Sequence, residues 1–143
     1  MILKELMREN LEVFKLKADA HLYQAANMMR EKSVGSIVIV DDSDKVVGMI
    51  TDRDIALTLA LGAGTPNSYV TEAMARDVET IPESMRLFDV TRLFRTVCVK
   101  RLPVVDAEGH VVGIISIDDV MALLSREMLD TCSAMESKLG HMV

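Results

Sequence analysis

Aromatic residues are scarce in this sequence: there are three phenylalanines, two tyrosines and no tryptophan among 143 residues. Half of the residues are apolar, so a hydrophobic core can form, but aliphatic side chains and methionine must supply it. A surface that stacks successive bases on aromatic rings is hard to build from so few rings. The composition therefore disfavours a binder of single-stranded nucleic acid.

Positive charge is also in short supply. The 16 lysines and arginines are outnumbered by 22 aspartates and glutamates, which gives a formal net charge of −6. Such a balance disfavours generic binding to DNA or to an anionic membrane. No unbroken apolar run is long enough for a transmembrane helix, and Lys4 and Glu5 bring charge too early for a signal peptide. We therefore expect neither nucleic-acid nor membrane binding.

Cysteine and histidine are few and widely spaced. Cys98 and Cys132 show no motif spacing, so we expect reduced thiols in a cytoplasmic protein, without support for a disulfide. His21, His110 and His141 lie far apart and have no partner at ligand spacing, so no metal site is expected. The sequence also lacks a glycine-rich phosphate loop followed by lysine, and a nucleophile with an obvious base. It predicts a protein that is not an enzyme.

What the sequence does contain is an internal duplication. A shift of 65 residues aligns residues 33–55 with residues 98–120 without a gap. Eight aligned positions are identical: Val34/Val99, Val40/Val105, Asp41/Asp106, Val46/Val111, Val47/Val112, Gly48/Gly113, Ile50/Ile115 and Asp54/Asp119. Chance rarely preserves apolar, turn and polar positions together in this way.

Each repeat is predicted to form a strand, a helix, two strands and a closing helix. Apolar residues recur at helical spacing from Leu22 to Met29, and the same shift places Leu87 to Phe94 on the equivalent face. The closing helices are predicted to start near Asp52 and Ile117. The predicted strands are residues 13–17, 37–40 and 45–50 in the first repeat, and 78–82, 102–105 and 110–115 in the second.

One repeat of this length is marginally stable alone, whereas two repeats packed sheet to sheet would bury each other's apolar faces. The predicted fold class is therefore α/β (α+β), with two tandem β-α-β-β-α repeats related by pseudo-two-fold symmetry. Turn-forming residues at 62–68 separate the repeats. We place residues 1–66, with an N-terminal helix, in the first repeat, and residues 67–143, with a C-terminal helical extension, in the second. Clefts between the repeats would be favoured places for a ligand.

The two ends of the chain are predicted to be amphipathic helices. Ile2, Leu3, Leu6 and Met7 supply the apolar side of the first. Apolar residues recur along 121–139 in the second. Neither is basic enough to dock on a membrane, so both are expected to pack on the module or on a partner subunit.

A short motif recurs at the start of both closing helices. Residues 48–54 and 113–119 share the order glycine, two apolar residues, a hydroxyl residue, two variable residues and aspartate. The hydroxyl residues, Thr51 and Ser116, stand where a strand ends and a helix begins. Free backbone N–H groups and the positive end of the helix dipole suit a phosphate group there.

The aspartates of the motif, Asp54 and Asp119, fall in the first helical turn. A carboxylate there can accept hydrogen bonds from both hydroxyls of a ribose cis-diol. However, a hydroxyl residue followed three positions later by an acidic residue also stabilises a helix start without any ligand. The spacing alone leaves these two interpretations open.

A local group of cations favours the ligand interpretation. Arg92, Arg95, Lys100 and Arg101 lie in a stretch without acidic residues. The first two fall near a helix C-terminus, where cations are stabilising in any case. Lys100 and Arg101 open a strand and lack that reason, so phosphate recognition is a plausible use for them. Arg53, inside the first motif, is a further candidate.

Residues 5–130 resemble a pair of CBS domains, also called a Bateman module. The resemblance is carried by residues 47–55 and 112–120, which contain the two motifs, and by Lys100–Asp106, which matches the basic-Leu-Pro-Val-Val-Asp strand of the family. It implies a regulatory module, without catalysis, that binds AMP, ADP, ATP or S-adenosylmethionine between its repeats. It also implies a homodimer.

The resemblance also implies roles for individual residues. Asp54 and Asp119 would contact the ribose. Residues on the phosphate side would be Thr51, Ser116, Arg53, Lys100 and Arg101. Backbone and apolar contacts to adenine would lie near residues 13–16, 36–38, 80–82 and 101–103. The residues singled out there are Leu16, Ser36, Ile37, Val38, Thr80, Ile81, Pro82, Leu102 and Pro103. The first repeat has Gly35 and Ser36 where the second has the basic pair, which argues against a second phosphate site of equal strength.

Three functions remain open at this point. The first is a regulatory module that binds an adenine nucleotide and acts on a separate effector protein. The second is a structural dimerisation module with vestigial ligand motifs. The third is a small hydrolase or transferase acting on the nucleotide, against which the missing general base argues. The basic residues favour a phosphorylated ligand over S-adenosylmethionine, whose sulfonium is positive, but do not separate AMP from ADP or ATP.

Overall fold

The computed structural model describes residues 2–6 and 13–140, so Met7 and His141 lie outside the described residues. The first half of the chain contains α1 (Leu3–Leu6), β1 (Lys15–Lys17), α2 (Leu22–Lys32), β2 (Ser36–Val40), β3 (Val46–Thr51) and α3 (Asp52–Ala60). After a 3₁₀ turn at Val70–Glu72, the second half contains β4 (Ile81–Pro82), α4 (Leu87–Thr96), β5 (Arg101–Val105), β6 (Val111–Ser116) and α5 (Ile117–Gly140).

The two halves form separate three-stranded sheets of identical topology. In the first sheet β2 lies between β1, to which it is parallel, and β3, to which it is antiparallel; β5 lies in the same way between β4 and β6. The register also repeats, since Lys17 pairs with Val40 and Pro82 pairs with Val105. The predicted fold of two β-α-β-β-α repeats is confirmed.

Both faces of β2 are buried, because the strand lies between two hydrophobic clusters. All five of its residues are buried. Ile37 and Ile39 point into the core between the first sheet and its helices, whereas Val38 and Val40 join a cluster that includes Val111 of the second sheet. Because neighbouring side chains of a strand point to opposite faces, an unbroken aliphatic run can serve both contacts. The repeats therefore pack sheet to sheet.

The turns that join the antiparallel strands are built in the same way in both repeats. Oδ1 of Asp106 accepts the backbone N–H groups of Glu108 and His110 at 2.9 Å each, and Asp41 does the same one repeat earlier. The bond from His110 is the main reason why the pKa of the Asp106 carboxyl lies below its ordinary value of 3.8. The turn therefore contributes stability that is present at neutral pH and is lost as the pH falls through this lowered pKa.

The segment that precedes each repeat packs on the other repeat. Leu3 is fully buried in the core of the second repeat, and its N–H donates to Met85 O at 2.9 Å. Val70 is fully buried in the core of the first repeat, and its N–H donates to Ala20 O at 2.8 Å. The domain boundary at residue 66 stays a prediction, but packing crosses it in both directions.

We expect Leu3→Ala to destabilise the protein by about 2–4 kcal/mol, because it leaves a cavity at a fully buried position. The residues that surround Leu3 belong to the second repeat, about 80 residues further along the chain. Urea unfolding followed by circular dichroism measures this change. Lys4→Ala is the matched control, since its side chain is exposed and makes only a surface ion pair with Glu83. Equal stability of the two variants would contradict the packing described for α1.

The helix α5 is longer than the repeat requires. Val120 is buried in the second core and Leu123 packs against it, but every residue from Leu124 to Gly140 is exposed. The predicted C-terminal helix is therefore present. Its residues from Leu124 onward are exposed in the single chain, so packing on a partner subunit is the part of the expectation that stays a prediction. No helix among the described residues has the length and apolar content needed to cross a bilayer.

Candidate functional site

A cleft of about 240 Å³ lies between the two repeats. The first repeat contributes Phe14 and residues Ser33, Val34, Gly35 and Ser36. The second repeat contributes Arg101, Ile114, Ser116 and Asp119. A guanidinium, a carboxylate, hydroxyl groups and an aromatic ring thus share one small cavity.

The second motif forms the start of α5 at the edge of this cleft. The backbone N–H and the hydroxyl of Ser116 both donate to Oδ2 of Asp119 at 2.7 Å, and the N–H of Asp119 donates back to the serine Oγ at 3.0 Å. Oδ1 of Asp119 accepts no hydrogen bond from any described residue. One carboxylate oxygen therefore caps the helix while the other stays available to a ligand.

The first motif has the same local geometry. The N–H of Thr51 donates to Oδ2 of Asp54 at 2.9 Å, and the N–H of Asp54 donates to Oγ1 of Thr51 at 3.1 Å. The capping interpretation of both motifs is therefore confirmed. Because capping occupies only Oδ2, it does not decide whether the motifs also hold a ligand.

The basic residues separate into one that lines the cleft and two that do not. Arg101 opens β5, pairs in register with Ser116 and projects into the cleft lining. Lys100 is exposed, and its carbonyl accepts the N–H of Ile117 at 3.0 Å. Arg53 is exposed in the first turn of α3, beside the other motif.

Of the predicted adenine contacts in the first repeat, Ser36 lines the cleft. Ile37 and Val38 are fully buried in the cores, so only their backbone could meet a ligand. Leu16 lies partly buried in a separate groove of about 270 Å³, which it shares with Lys15 and neighbouring residues.

The predicted adenine contacts in the second repeat lie outside this cleft. Ile81 and Leu102 are fully buried in the second core, and Pro103 is also buried. Thr80 is partly exposed and Pro82 is exposed. The pseudo-two-fold symmetry relates these residues to the predicted adenine contacts of the first repeat. Together with Thr51 and Asp54 they would line a second ligand site. Such a site stays a prediction.

Four residues that line the cleft are absent from the predicted ligand contacts: Ser33, Val34, Gly35 and Ile114. Ser33 ends α2 in a left-handed conformation, with φ of 54°, and this turn brings the next residues to the cleft. No sequence pattern marks that turn, because its residue is not glycine. Phe14 lies in the 13–16 segment near which the resemblance implied adenine contacts, and it lines the cleft.

His110 has two acidic neighbours, although the sequence predicted no partner at ligand spacing for it. Its Nδ1 lies 3.4 Å from Oδ2 of Asp106 and 3.5 Å from Oε2 of Glu108, within one turn. These three side chains could place ligand atoms around an ion. However, the ammonium of Lys45 bonds the carbonyl of Glu108 beside them, and its charge opposes a cation. The expectation of no metal site stays a prediction.

The duplicated fold and the cleft define a class of protein, the tandem α/β module with a cleft between its repeats. The chain belongs to the CBS domain family, whose sequence model matches residues 3–60 and 70–126. The resemblance seen in the motifs is thereby confirmed.

Individual relatives support this assignment. A CBS domain-containing protein of Bacillus subtilis is 32% identical over 99 residues, which are 69% of either chain. The CBS domain pair of protein MJ0100, solved with 5′-methylthioadenosine and S-adenosyl-L-methionine, is 26% identical with a TM-score of 0.75, over 89% of this chain and 98% of that one. CBSX2, solved with AMP, is 28% identical with a TM-score of 0.72, over 89% and 98%.

Other relatives are longer proteins. The chain spans 50% of an uncharacterized protein of Methanopyrus kandleri and 21% of the inosine-5′-monophosphate dehydrogenase of Thermoplasma acidophilum. The matched part of that enzyme is about the length of a CBS pair, so the similarity carries no catalytic activity to this chain.

Proposed function

We propose that this chain is a regulatory module that binds an adenine nucleotide in the cleft between its repeats. The observation that carries the proposal is the meeting of Asp119, Ser116 and Arg101 from one repeat with Phe14 from the other. The ligands of the similar MJ0100 and CBSX2 pairs are all adenosine derivatives, which supports an adenosine ligand here.

Each part of a nucleotide has a matching group in the cleft. Oδ1 of Asp119 would accept the ribose hydroxyls, and Arg101 would pair with phosphate oxygens. The ring of Phe14 and the side chain of Ile114 would contact the adenine faces. The backbone of Gly35 offers polar groups to the adenine edge.

The charge of the cleft narrows the class of ligand. Its volume of about 240 Å³ lies close to the range of about 300–1,000 Å³ that is usual for small-molecule sites, and it does not separate AMP from ADP or ATP. A guanidinium at the phosphate end attracts an anion and repels a sulfonium. We therefore place AMP ahead of S-adenosylmethionine, although MJ0100 binds the latter.

A purely structural module is the second candidate. It is favoured by the complete hydrogen bonding of both caps without a ligand. The open Oδ1 of Asp119 and the adjoining Arg101 have no role in that account, so we rank it below nucleotide binding.

The module is proposed to act on a separate effector protein and to form a homodimer. Both follow from the resemblance to CBS pairs, as the absence of catalysis does. The cytoplasmic location stays a prediction; both cysteines are free thiols in the structure.

Calorimetric titration with AMP, ATP and S-adenosylmethionine tests the proposal. We expect AMP to bind with a Kd on the order of ten micromolar, about 7 kcal/mol. Arg101→Ala should weaken AMP binding roughly tenfold, because a charge-assisted phosphate contact is lost. Arg53→Ala is the matched control and should leave the affinity unchanged. If none of the three ligands binds, the structural module is the better account.

A further inference from the structure

The exposed part of α5 carries an apolar stripe that no described residue covers. The α5 stripe consists of Met121, Leu124, Met128, Cys132, Met135 and Leu139. Successive members are three or four residues apart, so they lie on one face of the helix. Its methionines and leucines are between 37% and 69% exposed, and Cys132 is also exposed.

The exposed helix is unusual on energetic grounds. Every residue from Leu124 to Gly140, about five helical turns, is exposed. Most of the stability of a helix in a protein comes from packing an apolar face against a neighbour. The family match ends at residue 126, so the stripe lies largely beyond the part that forms the CBS fold.

We propose that the α5 stripe is a self-association surface, on which the α5 of a second copy packs antiparallel with the two-fold axis beside Cys132. In this arrangement Met128 faces Met135 of the second copy, and Leu124 faces its Leu139. The two copies of Cys132 lie next to each other.

The charged residues beside the α5 stripe favour the antiparallel orientation of the second copy. Glu127 and Lys138 lie on the same flank of α5, 11 residues apart. In an antiparallel pair centred on Cys132, Glu127 is level with Lys138 of the second copy to within one residue, about 1.5 Å of rise. Two ion pairs form by symmetry, and the helix dipoles oppose each other favourably.

The net charge of the chain also favours the antiparallel pair over a parallel one. Each chain carries a formal charge of −6. A parallel pair would bring both modules to the same end of the helices, whereas the antiparallel pair keeps them at opposite ends and reduces the repulsion between them. The stripe itself contains no charged residue, so pairing buries no charge.

Mass measurement by light scattering at micromolar concentration is the first test. We expect a dimer, and we expect Met128→Glu to weaken it by about a hundredfold, because an unpaired carboxylate would be buried against Met135 of the second copy. Ser133→Glu, on the exposed side away from the stripe, is the matched control and should remain dimeric. A monomeric wild type, or a Met128→Glu dimer of unchanged strength, would overturn the proposal.

Thiol oxidation tests the orientation in the full-length chain. In a Cys98→Ser background, diamide should join Cys132 to Cys132 of the second copy, and Met128→Glu should slow this reaction about tenfold or more. Leu124→Cys, in a background with both natural cysteines replaced by serine, should not form a disulfide, because in the antiparallel pair the two copies of residue 124 are separated by about 16 residues of rise, or about 24 Å. Efficient linkage through residue 124 would indicate a parallel pair and overturn the antiparallel one.

Discussion

Asp119→Asn is expected to weaken AMP binding about a hundredfold, or about 2.7 kcal/mol. Asparagine can still accept the N–H and hydroxyl of Ser116 with its carbonyl oxygen, so the cap is kept. Its amide nitrogen then faces the ribose in place of Oδ1 and cannot accept a hydroxyl proton. Two charge-assisted bonds are lost while the start of α5 stays in place. Calorimetry gives the affinity, and thermal unfolding should show only a small change.

Asp54→Asn is the internal control for this result. It makes the same change in the same capping geometry, but beside the motif that does not line the described cleft. We expect its effect on AMP affinity to be less than about threefold. If Asp54→Asn abolishes binding and Asp119→Asn does not, the nucleotide occupies the other side of the pseudo-two-fold axis. If both variants bind as the wild type does, the aspartates serve as caps alone.

Gly48→Ala is expected to destabilise the protein by about 3 kcal/mol, lowering Tm by roughly 6–12 °C. A Cβ at this position would lie 2.6 Å from the carbonyl oxygen of Ala75 and 2.6 Å from Sδ of Met74. The carbonyl cannot retreat easily, because Ala75 and Met49 exchange backbone hydrogen bonds of 3.1 and 2.8 Å. Differential scanning calorimetry measures the change.

Gly140→Ala provides the comparison for the glycine result. A Cβ there meets nothing within 4 Å, and the residue ends a helix, so the substitution should be neutral or slightly stabilising. A Gly48→Ala variant as stable as Gly140→Ala would mean that the 74–75 segment does not lie against β3.

The repeat made most of the fold predictable. Because the second half of the chain obeys the same pattern as the first, a strand inferred at 37–40 and one inferred at 102–105 support each other, and both occur with the same register. The packing of α1 on the second repeat was not predictable. Leu3 looks like an ordinary apolar residue before the first repeat, and its contacts with the second depend on a tertiary approach that no local pattern encodes.

The site was predictable in part for similar reasons. Asp119, Ser116 and Arg101 stand in recognisable motifs, and the structure brings them to one cleft. The contribution of Gly35 and Ser33 depends on a left-handed turn at a serine, which sequence does not signal. The side chains of Ile37 and Leu102 are fully buried, so the adenine contacts that the family resemblance implies for them would be made by their backbone and stay a prediction.

Leu3 and Val70 each pack in the core of the repeat to which they do not belong, and this affects how the chain can be divided into fragments. A polypeptide cut in the 61–68 connection would give two fragments, each carrying a piece of the other's interior and missing a piece of its own. The fragments would fold by complementing one another, so the pair of repeats, and not the single repeat, is the smallest unit of this chain that keeps both cores complete.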